Sequence, residues 1–79
     1  MSITLADLAV GGHGVVDGFA PGSGVYRQRL LAMGLIRGTQ FEVCRVAPLG
    51  DPVEIRLRNY HLSLRGDEAR ALRVREVQP

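Results

Sequence analysis

The side chains of this 79-residue chain that could attack a carbonyl or ligate a metal are few: Ser2, Ser23, Ser63, Cys44, His13, His61 and scattered carboxylates. None of the serines stands in a nucleophile-elbow motif, and no histidine lies at motif spacing from a candidate nucleophile. Without an acid, base and nucleophile set, the expectation is that the chain is not an enzyme and has no catalytic residues. His13 and His61 are the candidate metal ligands, yet no two potential ligands have metal-site spacing. Cys44 reads as a small strand residue near the core, and both histidines as solvated turn or strand-start residues. No resident cofactor is expected; an exposed histidine could share an adventitious divalent ion with a second subunit. Gly22-Ser23-Gly24 is a fragment of a glycine-rich loop, but the chain has no lysine and therefore no P-loop.

Charge points to a partner class only weakly. Ten basic residues, all arginine, oppose eight acidic ones for a formal net charge of +2. Arg56, Arg58, Arg73 and Arg75 would line the solvent sides of two strands, with Tyr60 near a turn for stacking, which is the best case for nucleic acid. Glu54 and Glu76 share those segments, so solvated strand faces are the simpler reading and no nucleic acid is expected.

The elements that must position these residues are short. Thr4 to Asp7 has the form of a capping box, with Ile3 and Leu8 at the positions of a hydrophobic staple, and predicts one helical turn. After Gly11 and Gly12, His13 to Phe19 predicts a first strand, with Gly14 and Gly18 as sites of bulges or bends. Ala20 to Gly24 is turn chemistry that offers Ser23 as N-cap for a helix from about Val25 to Met33, whose Tyr26, Leu30 and Met33 share one face and pack on a core. Gly34 and Leu35 fit a Schellman ending, and Ile36 to Thr39 a type II turn with Gly38 at its left-handed position. Further strands are expected over Phe41–Val46, Val53–Arg58, a short stretch at Leu62 and Leu64, and Leu72–Val77, with Gly66 to Ala69 as a break that starts a short turn.

Together these predict a single domain over residues 1–79, all-β: a small SH3-like five-stranded barrel with one short helix inserted, since closure manages exposed strand edges. A single cysteine excludes an internal disulfide framework and fits the cytoplasm. The N-terminus carries Asp7 and lacks a basic leader and a long apolar run, so neither signal peptide nor membrane insertion is expected.

Four segments in order, Thr4-Leu-Ala-Asp-Leu8, Arg29-Leu-Leu-Ala-Met-Gly-Leu35, Gly38-Thr39 and Ala47-Pro-Leu-Gly-Asp-Pro52, continued by Leu64, Arg65, Glu68 and Ala69, resemble the FeoA family. Arg37 departs from the pattern, which often has proline before the glycine of the turn. The resemblance implies a small cytoplasmic SH3-like accessory module of bacterial ferrous iron transport that acts with FeoB, a membrane ferrous iron transporter with a cytoplasmic G-protein domain. A related module forms the C-terminal domain of iron-dependent repressors, so a small nucleic-acid-binding or regulatory barrel is the alternative, and an iron-carrying chaperone is a third reading. Arg27 and Leu31, off the buried helix stripe, and Leu49, in the loop to Pro52, are the residues expected to contact the partner. A homodimer is compatible with so small a domain.

Overall fold

The computed structural model describes residues 3–78; Ser2, one of the serines weighed above, lies outside them. The chain begins with a two-residue strand, β1 (Ile3–Thr4), and a 3₁₀ turn over Leu5–Asp7. The Thr4 N–H donates to Asp7 Oδ2 at 2.8 Å, the half of a capping box that holds the turn's entry. Leu8 is buried and Ile3 packs against the core, as the staple pattern expects.

The remaining elements are β2 (His13–Phe19), α1 (Gly24–Ala32), β3 (Gln40–Val46), β4 (Val53–Arg56), β5 (His61–Leu64), α2 (Gly66–Ala71) and β6 (Leu72–Val77). Period-two alternation places Val16, Phe41, Val43, Val53, Ile55, Leu72 and Val74 inside, one face of each strand joining a single core. All six strands form one antiparallel sheet in the order β1-β6-β2-β3-β4-β5. The all-β SH3-like class stands, with one strand and one helix more than the sequence pattern offered. A two-residue edge strand has too few positions to show alternation, and α2 is a six-residue helix where only a turn was expected. That helix packs against β1, β5 and the first 3₁₀ turn. It therefore lies between the two edge strands, filling with side chains the gap that backbone pairing leaves open.

Helix α1 shows how local sequence fixes an ending. The Leu35 N–H reaches Leu30 O and the Gly34 N–H reaches Leu31 O, the two bonds of a Schellman motif, with Gly34 at φ 92° where a side chain would be strained. Leu30 and Leu35 are both fully buried, and Tyr26 and Met33 pack on the same core. Thr39 N–H to Ile36 O then closes the expected turn. Two local expectations need correction. The Ser23 hydroxyl does not cap the helix; it donates backward to Ala20 O at 2.5 Å and is itself buried. Strand β4 stops at Arg56, because the Leu57 N–H turns to Tyr60 O to close the bend into β5.

Candidate functional site

Strand register brings together residues that are far apart in sequence. His13 stands opposite Glu42, Glu42 opposite Arg56, and Arg56 opposite His61, so these four form one row across β2, β3, β4 and β5. Directly opposed residues share a face of the sheet. Glu42 binds Arg56 through Oε1 and faces His13 Nε2 across 3.9 Å through Oε2. The two histidines are three strand spacings apart, about 14 Å between backbones, with an arginine between them. The fold therefore does not join His13 to His61, and among the described residues no three His, Cys, Asp or Glu side chains form a metal-sized cluster. Cys44 sits at the irregularity between Val43 and Arg45, half-buried, its thiol directed to Glu42 O at 3.8 Å.

Beside this row lies an open groove of about 750 Å³, lined by His13, Gln40, Glu42, Arg56, Arg58 and Tyr60. The Tyr60 hydroxyl donates to Met33 O at 2.8 Å, fastening the β4–β5 bend to the end of α1. The four arginines proposed for nucleic acid do not make one stripe. Sheet order puts two strands, β2 and β3, between β4, with Arg56, and β6, with Arg73 and Arg75, and Arg56 is held by Glu42.

The expected partner-contact residues divide. Arg27 and Leu31 are one turn apart on the exposed side of α1, and the Arg27 guanidinium rests 5.6 Å from the centroid of Phe19. A cation over an aromatic face stiffens that side chain and keeps its charge outward. Leu31 is partly exposed, and Ile36, just past the helix, is more so. Leu49 belongs to a separate element, the 3₁₀ turn Pro48–Gly50 at the far end of β3, where it is fully exposed with φ at 67°.

Two arrangements escaped sequence reasoning because only the fold creates them. Glu68 on α2 is buried, its Oε1 accepting from the Arg65 N–H at 2.8 Å and its Oε2 paired with Arg29 Nε of α1 at 2.9 Å. Arg37 and Arg73 both reach Gly18, Arg73 being its β6 partner. Glu68, an acidic residue three positions after Arg65, was the one visible hint of the first; nothing local marks the second.

The sequence profile of the FeoA domain matches residues 3–76. A fusion protein of Fe(2+) transport protein A and the Fe(2+) transporter FeoB from Porphyromonas gingivalis is 39% identical over 70 residues. That match takes in 89% of this chain but 8% of the fusion protein, so the chain spans a small part of that relative. Among solved structures, the NMR structure of a FeoA-like protein from Clostridium acetobutylicum superposes with a TM-score of 0.87 at 35% identity, over 99% of this chain and 90% of that one. The zinc-complexed FeoA of Stenotrophomonas maltophilia, described as a prokaryotic SH3 domain protein, shares the fold with a TM-score of 0.74 at 22% identity, over 92% and 89% of the two chains.

Proposed function

This chain belongs to the FeoA domain family, and from that premise we propose that it is a non-enzymatic accessory module of ferrous iron uptake, docking on the cytoplasmic part of a FeoB-type transporter. The observation that carries the reading is the Porphyromonas gingivalis fusion, in which a domain like this one shares a polypeptide with the transporter. Two activities encoded as one chain act at one place, and a separate chain of the same family reaches that place by binding. No helix among the described residues is long and apolar enough to cross a membrane, so the transporter supplies the passage and this domain modulates it.

The docking face is the exposed side of α1. Arg27 is braced on Phe19, and Leu31 and Ile36 add apolar area beside it. An arginine next to exposed aliphatic groups is the composition of an interface centre, where a few desolvated side chains carry most of the binding energy. Leu49 extends the contact from the β3–β4 turn.

Calorimetric titration of the chain into its own organism's detergent-solubilised transporter, with and without guanine nucleotide, tests this. Saturable binding that Leu31→Glu weakens at least tenfold, in a variant with unchanged thermal unfolding, is the expected result. An absence of binding in either nucleotide state overturns the docking reading, and loss of the fold in Leu31→Glu would place that leucine in the core instead.

A further inference from the structure

The corner around Gly18 holds an excess of positive charge that the fold does not neutralise. A methyl group built on Gly18 would lie 3.0 Å from Arg73 Nη2 and 3.5 Å from Arg37 Nη2, so both guanidinium groups reach within 3.5 Å of one point. Gly18 has φ at 131° and stands at the irregularity of β2, where Asp17 is the extra residue against β6. Only a residue without a side chain lets both guanidinium groups pack this close to the backbone.

Ion pairs among the described residues engage Arg29, Arg56 and Arg70, but neither Arg37 nor Arg73. Asp17 contributes its backbone carbonyl, which accepts from Arg73 Nη2 at 3.2 Å, and its carboxylate pairs with neither arginine. That bond fixes the Arg73 guanidinium in place, while its Nε–H is buried with no acceptor. Two neighbouring cations repel each other, and an anion that contacts the outer nitrogens of both relieves the repulsion.

We propose that Arg37 and Arg73 form a two-armed clamp, floored by Gly18, that takes a carboxylate from an acidic segment of a protein partner. For the identity of that partner the clamp rests on the docking reading; for its chemistry it rests on these two guanidinium groups alone. Successive free backbone N–H groups form the concavities that commonly bind phosphate. Here the Val16 N–H is taken by Thr39 O and the Gly38 N–H by Val16 O, so neither of these two backbone donors is offered to a ligand beside the guanidinium groups. Exposed Ile36 lies next to Arg37 in sequence, which suits a peptide surface better than a soluble phosphate.

The probe is an end-blocked peptide of four glutamates, titrated into the ¹⁵N-labelled chain at fixed ionic strength, with inorganic phosphate as the second arm. Saturable shifts centred on the Gly18 amide and the Arg73 Nε–H are expected. Arg37→Gln should weaken the peptide about tenfold, as for one lost charge-assisted hydrogen-bonding arm, while Arg75→Gln, an exposed arginine on the same strand, leaves it unchanged. Equal loss in both variants, tighter binding of phosphate than of peptide, or no shift at Gly18 would each overturn the clamp. Arg37→Gln is then titrated into the transporter. A transporter that binds wild type and Arg37→Gln equally overturns the clamp and keeps the docking reading; a peptide that saturates the clamp while the transporter does not bind keeps the clamp and overturns the docking reading.

Discussion

Gly34 and Tyr60 hold the end of α1 in one shape. A Cβ on Gly34 would meet the Tyr60 hydroxyl at 2.6 Å, and the backbone there is left-handed. Gly34→Ala should therefore cost about 1–2 kcal/mol, read as a fall in Tm of ~4–8 °C per kcal/mol for a domain of this size. Tyr60→Phe keeps the ring but removes the bond to Met33 O, and should cost ~1 kcal/mol; an unchanged Tm in that variant would show that the latch adds nothing. Leu49 is the opposite case, a non-glycine residue at positive φ whose side chain touches little. Leu49→Asn, which tolerates that backbone, should raise stability by up to ~1 kcal/mol while weakening transporter binding; a lower Tm would reveal packing that the exposed leucine does not show. Gly34, Leu35 and Gly38 were legible in the sequence because helix endings and tight turns are set by neighbouring residues. Tyr60 was not, since its partner lies 27 residues away and nothing local marks the pairing.

At the level of elements, strands β2 and β6 emerge with the boundaries their alternation predicts, and α1 within one residue at each end. Elements too short to show a period fared worse: β1 has two residues, and α2 was reduced to a turn. What makes α2 a helix is tertiary. It carries Glu68 into the interior between the Arg65 N–H and Arg29, tying the helix that fills the sheet's open side to α1, the helix proposed to present the docking face. Glu68→Ala should destabilise by ~2 kcal/mol, the order expected on losing hydrogen bonds to a buried charge. The Arg29 side chain is 65% exposed, so solvent screens its share and a double-mutant cycle with Arg29→Ala should return a coupling of only ~1 kcal/mol. A coupling near zero in denaturant unfolding would mean that Glu68 is held by the Arg65 N–H alone. The candidate site follows the same division: Arg27 and Leu31 could be paired from helical spacing, whereas the clamp at Gly18 depends on the β2–β6 register and the path after α1, which spacing does not reveal.

Across the whole molecule, the features proposed for docking are a few exposed side chains on separate elements of a small domain, so affinity should be modest and sensitive to where the domain is held. The P. gingivalis relative joins a domain of this family to the transporter covalently. A flexible tether replaces a dilute partner with an effective concentration in the millimolar range. If Arg37→Gln acts only by weakening association, tethering that variant to its own transporter through a Gly/Ser linker should restore ferrous iron uptake to the wild-type level, even though the separate variant restores little. Uptake measured in cells lacking the native chain distinguishes the cases. Full rescue by the tether makes this surface a device for recruitment; a tethered Arg37→Gln chain that stays inactive would mean that the arginine acts on the transporter after docking, and the recruitment argument would fail.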